Sequence, residues 1–126
     1  MTRNPATVTD AEWNDWRWQL AHRARTAADL AVRITLSVRE REAFDCPDLP
    51  AVAVPPYYLG LMDPEDPACP IRRQALPDPE DARPAPSESA DPLGERRRTP
   101  VPGLVHRYPD RVVLLATPDC PVRCRH

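Results

Sequence analysis

Two cysteines near the carboxyl end carry the most specific chemistry in this sequence. Cys120 and Cys124 are separated by three residues and follow a Thr117-Pro118-Asp119 break. Thiolates are soft ligands, and this spacing on a loop after a strand suits a metal or iron–sulfur site. Two thiolates are too few to hold a four-iron cluster. Taken alone, the pair is also compatible with free thiols or with half of a zinc site.

The second constellation is His106-Arg107-Tyr108-Pro109-Asp110-Arg111. Arg107, Tyr108 and Arg111 have the chemistry of a phosphate grip: guanidinium forks bind at two points, and a phenol adds one donor. The competing reading is an Arg–Asp network that anchors the loop before a strand. His106 reads as a loop or packing residue and His22 as an ordinary helix-surface residue. No serine pairs with a histidine and an acid, and three glycines are too few for a glycine-rich phosphate loop.

The elements that must position these groups can be read from pattern. The apolar run over residues 112–116 predicts a strand over 111–116 with both faces buried, the kind found in parallel sheets. Thr9-Asp10-Ala11-Glu12 has capping-box form and predicts a helix reaching about residue 25. Trp13, Trp16, Leu20 and Ala24 would share one packing face of it. Thr26 to Asp29 opens a second short helix carrying Leu30 and Ile34. Ser37-Val38-Arg39-Glu40 opens a third, reaching about Phe44. Pro56 suits a first helical turn, so a helix is expected over 57–62, and another over 71–76. Residues 1–8 read as a loose tail. Residues 77–100 are rich in Pro, Asp, Ser and Glu and read as a mobile surface excursion.

Four ordered motifs accompany the cysteines: Trp13-Asn14-Asp15-Trp16-Arg17-Trp18-Gln19, Pro56-Tyr57-Tyr58-Leu59, Arg72-Arg73-Gln74-Ala75 and the segment from Val101 to Arg111. Together with Cys-x3-Cys-Arg-His, they resemble the amino-terminal part of lysine 2,3-aminomutases, which are radical S-adenosylmethionine enzymes. The similarity runs from about residue 9 onward and covers roughly the first third of such an enzyme. Departures are mild: Pro55 before the Pro56 motif, Gly60 after it, and Cys69 in the Asp-Pro loop.

The resemblance implies a fold that is mostly α with one β-strand: a helical region followed by the first strand of a partial (β/α) barrel. The expected organisation is 1–76 helical, 77–110 the proline-rich connection with the His106–Arg111 segment, and 111–126 the start of the barrel. It implies that Cys120 and Cys124 are two of three ligands of a [4Fe-4S] cluster. The third cysteine of the motif would follow His126, so the chain is expected to be interrupted inside this motif and inactive alone. S-adenosylmethionine would take the open iron and yield a deoxyadenosyl radical. Arg107, Tyr108 and Arg111 would help hold the phosphate of pyridoxal phosphate. No catalytic residue is expected within this chain, which contains no lysine to carry that cofactor.

The implied activity is isomerisation of L-lysine to β-lysine by moving the α-amino group. Glutamate or another amino acid is the alternative substrate, and a homo-oligomer is compatible with the resemblance. A non-catalytic proline-rich interaction module is the alternative from another class. Only the 77–100 stretch favours it.

Composition sets outer limits. The net charge is −2 and all 17 basic residues are arginine, which argues against a nucleic-acid footprint. Arg96-Arg97-Arg98 reads as a solvated loop. No apolar run reaches the roughly 20 residues of a membrane span, and no signal peptide is evident. A cytoplasmic, reducing location is therefore expected, with free or metal-bound thiols rather than disulfides. Cys46 and Cys69 read as incidental. Leu, Ile, Val and Phe supply 24 of 126 residues beside 18 prolines. That is under the roughly 20% at which packed cores become doubtful, so the chain reads as one built to pack against further structure.

Overall fold

Reciprocal caps start three of the first four helices. Thr9 Oγ1 accepts from the Glu12 amide at 3.2 Å, and the Glu12 carboxylate accepts from the Thr9 amide at 2.9 Å. This box opens α1 (Asp10–Asn14). Thr26 with Asp29 opens α3 (Ala27–Ala31), and Ser37 with Glu40 opens α4 (Val38–Phe44). Each box satisfies amides that the first helical turn cannot pair internally. Pro at the first turn begins α5 (Pro56–Leu59) and α6 (Pro70–Ala75). The computed structural model describes residues 8–83, 89 and 91–125. The expected tail, except Thr9's neighbour Val8, and part of the 77–100 excursion lie outside the described residues.

The first helix is shorter than its pattern suggests. It stops at Asn14, and α2 (Trp16–Ala21) restarts after one extended residue, Asp15, with φ −83° and ψ 117°. The Asp15 carboxylate accepts from the Arg17 amide at 2.9 Å. An aspartate that can cap competes with helix continuation, because its side chain offers the backbone another partner. The break removes the single helical face expected for Trp13, Trp16, Leu20 and Ala24. Trp16 is 62% exposed, whereas Ala24 is buried and exchanges two hydrogen bonds with Val54. Trp13 instead packs on Trp18 and, edge-on, on Tyr57, and Trp18 stacks on His22.

Two units make up the described chain, residues 8–83 with 120–125, and residues 89 and 91–119. The first has a core of Leu30, Ile34, Leu36, Val52, Val54, Leu59, Met62 and Leu76, with Ala24 and Ala75. Leu30 and Val54 are fully buried. Each such side chain contributes about 1.5–3 kcal/mol relative to exposure. Apolar residues are sparse in the whole sequence, but here they are concentrated at the positions that meet.

Within that core sits a charge. Arg72 on α6 is wholly buried, and its guanidinium makes two bonds to the Glu40 carboxylate, at 2.7 and 2.6 Å. Its other donors reach the carbonyls of Thr35 (2.7 Å), Asp63 and Pro64 (both 3.2 Å). Glu40 is therefore used twice, once as the cap of α4 and once as the counter-ion that ties α4 to α6. Burial pushes its carboxyl up. The Arg72 bonds and the Ser37 amide and hydroxyl outweigh that and hold it below its ordinary value.

The second unit contains a 3₁₀ turn at Arg96–Arg98 and an antiparallel hairpin, β1 (Leu104–Tyr108) and β2 (Arg111–Leu114). Gly103 enters it at φ +81°, where its carbonyl accepts from the Leu115 amide. Two strands thus appear where one was expected, and the segment read as a loop before the strand is largely β1. Leu104 pairs with Leu114, Val105 with Val113, and Tyr108 with Arg111, with a shift in register between. Nor is β2 buried on both faces: Val112, Val113 and Leu114 are 49, 59 and 70% exposed. A two-stranded ribbon has no layer over either face, whatever the apolarity of its residues.

Candidate functional site

The cysteines lie on a segment without regular structure that is nonetheless fastened at several points. The Arg23 guanidinium donates to the Cys120 carbonyl at 3.0 Å, while its Nε donates to the Leu20 carbonyl at 2.9 Å. Val122 is half-buried against the core. The Arg123 amide donates to the Ala53 carbonyl at 3.2 Å, and the Arg125 amide to the Gln74 carbonyl at 2.6 Å. The Arg125 guanidinium pairs with the Asp81 carboxylate at 2.7 Å. Asp81 belongs to a 3₁₀ turn, Pro79–Ala82, and also accepts from the Asp78 amide at 3.0 Å. Asp78 in turn is bound by Arg39 of α4, at 2.6 Å. That pairing and the Glu80 amide keep its carboxyl below the usual range.

Both thiols are exposed. The pair on a held backbone fits two ligands of a thiolate-bound cluster. Among the described residues, no group of three His, Cys, Asp or Glu side chains supplies a whole site. Cys69, read as incidental, is buried, and its sulfur accepts from the Asp63 amide at 3.4 Å. That bond and those from the Arg72 and Ile71 amides pull its thiol below the ordinary value. It completes the Asp-Pro turn before α6 and lies apart from the Cys120–Cys124 segment in sequence.

The hairpin of the second unit brings Arg107, Tyr108 and Arg111 together. Both guanidinium groups lie over the Tyr108 ring, 5.9 Å from its centroid for Arg107 and 5.2 Å for Arg111. All three side chains are exposed. Arg111 is also bound by its neighbour Asp110, at 3.1 and 3.2 Å. The donor set fits a phosphate dianion, which would compete with Asp110 for Arg111. His106 is exposed on β1.

Comparison with known proteins gives the arrangement a context. No family model matches the chain. The chain is 48% identical over 120 residues to L-lysine 2,3-aminomutase of Clostridium subterminale, covering 94% of this chain and 29% of that protein. It is 44% identical over 121 residues to L-lysine 2,3-aminomutase of Bacillus subtilis, covering 94% of this chain and 26% of that one. The chain belongs to the lysine 2,3-aminomutase family. Glutamate 2,3-aminomutase of Clostridioides difficile is 36% identical over 122 residues, covering 94% of this chain and 28% of that protein. The chain thus spans less than a third of the length of these aminomutases.

Several residues that build the aminomutase segment carry no local signal. Arg72 and Glu40 are 32 residues apart, Asp81 and Arg125 are 44 apart, and Arg23 and Cys120 are 97 apart. Glu40 was legible as a cap but not as a counter-ion. Among the described residues, no helix is long and apolar enough to cross a membrane.

Proposed function

We propose that this chain is the amino-terminal part of an L-lysine 2,3-aminomutase, an isomerase that moves the α-amino group of lysine to the β carbon. The observation that carries the reading is 48% identity to such an enzyme across 94% of the chain. Four lysine enzymes at 44–48% identity stand above the glutamate enzyme at 36%, which favours lysine as substrate, although other lysine enzymes are 31–36% identical. Relatives that cover nearly all of this chain are aminomutases, so the interaction-module reading is set aside.

In this reading Cys120 and Cys124 hold two irons of a [4Fe-4S] cluster. Arg107 and Tyr108 donate to the phosphate of pyridoxal phosphate, and Arg111 joins them by exchanging Asp110 for the phosphate. When bound, the cluster with S-adenosylmethionine would supply radical chemistry, and pyridoxal phosphate would supply electronic stabilisation for the amino-group shift. The part of this chain is to hold and orient these groups. β2 would open a partial barrel whose further strands and helices cover the faces that the hairpin leaves exposed.

The test is a completed enzyme: this chain joined to the downstream sequence of the Clostridium subterminale relative, supplied anaerobically with the three cofactors and a reductant. It should convert lysine to β-lysine. Conversion of glutamate instead would move the assignment to the second substrate, and turnover of neither would sink the reading. In the same enzyme, Arg107→Ala should weaken pyridoxal phosphate binding about 10- to 150-fold. One charge-assisted contact contributes about 1.5–3 kcal/mol, and the other donors remain. A titration showing parental affinity would make the hairpin arginines structural.

A further inference from the structure

We propose that Arg23 and Asp81 are positioning residues for the thiolate segment: together they fix its backbone at Cys120 and just after Cys124 before any metal arrives. The inference rests on the reading of these cysteines as cluster ligands.

The argument is one of geometry. The segment has no helix or strand to hold it, yet its backbone is tied at Cys120, Arg123 and Arg125. Each tie ends within the first unit. Arg23 precedes Ala24 and Ala53 precedes Val54, and Ala24 and Val54 form the two-bond bridge in the core. Gln74 lies on α6, where its Oε1 accepts from the Tyr58 hydroxyl at 3.0 Å. Asp81 is held by its own turn and, through Asp78, by Arg39. The Arg125 and Asp81 side chains are only 30 and 29% exposed, so their attraction is screened less than that of a fully solvated pair.

Backbone ties between the same amides and carbonyls would form for almost any sequence. The two side-chain ties would not, and they flank the cysteines: Arg23 grips the carbonyl of Cys120 itself, and Asp81 grips the residue after Cys124. Groups one layer behind metal ligands set the ligands' orientation. Losing one weakens metal affinity by about 10- to 100-fold. A ligand loop ordered in advance also binds more tightly, because it loses less freedom on binding.

Two variants test this. Asp81→Asn retains an oxygen for the Asp78 amide but loses the charge that holds Arg125. Arg23→Met retains the aliphatic stem but loses the donor to Cys120. In the 126-residue chain, amide exchange measured by NMR should become faster at Arg123 and Arg125, with the thermal midpoint of unfolding unchanged. In the completed and reconstituted enzyme, iron should pass to a chelator about 10- to 100-fold faster, and Asp81→Glu should restore the parental rate. Parental iron release in both Asp81→Asn and Arg23→Met overturns the proposal, even if exchange rises. A completed parent that takes up no cluster refutes the ligand reading instead. In that case parental exchange at 123 and 125 in both variants refutes the clamp separately.

Discussion

Under the proposed function, changing Cys120 or Cys124 to alanine in the completed enzyme is expected to remove the cluster and all radical chemistry, while pyridoxal phosphate still binds. A thiolate is a covalent ligand for iron. Among the described residues no third His, Cys, Asp or Glu stands close enough to make a metal-binding group with these cysteines, so no substitute is at hand. The proposed phosphate grip of Arg107, Tyr108 and Arg111 belongs to a different unit of the chain and shares no atom with the thiols. Iron and sulfide content, measured beside a pyridoxal phosphate titration on each variant, separates the two. Full iron in either alanine variant would remove that cysteine from the ligand set. Joint loss of iron and of pyridoxal phosphate binding would point to misfolding.

The second large effect falls on stability. Arg72→Met, in this chain, should cost about 3–5 kcal/mol, because removing one partner of a buried ion pair leaves the other charge without compensation. Small domains have only about 5–15 kcal/mol in total, so urea denaturation should show a much lower midpoint. Adding Glu40→Gln to Arg72→Met should recover part of the loss, since the stranded charge is gone. A double variant less stable than Arg72→Met would contradict this account.

The same pair fixes a pH dependence. The Glu40 carboxyl is held below its ordinary 4.5 in the folded protein. Its contribution is therefore present above about that pH and disappears as pH falls through the lower folded value. The destabilisation caused by Glu40→Gln alone should be largest near neutrality and shrink on acidification below 4.5. Asp29, Asp63 and Asp78 are likewise held low, by hydrogen bonds to amides or to arginine. Both proteins will thus lose stability in acid, and only their difference reports on Glu40. A difference that grows in acid would reverse the sign and exclude the assignment.

Helix starts and turns were legible in the sequence because they are local. Thr9 with Glu12, Thr26 with Asp29 and Ser37 with Glu40 each satisfy their amides within four residues, so their spacing is their mechanism. The cysteines and the His106–Arg111 segment stood out by residue type for the same reason. Tertiary structure decided what depends on partners distant in the chain. It set the burial of Arg72 and the ties from Arg23 and Asp81 to the cysteine segment. It also corrected the long first helix, since nothing in a 3.6-residue pattern records that Asp15 gains more as a cap than as a helical residue. The apolar run at 112–116 shows the same division: sequence alone can fix the residue types suited to a buried strand, but burial depends on which layers cover it. Val112 to Leu115 are exposed on this hairpin.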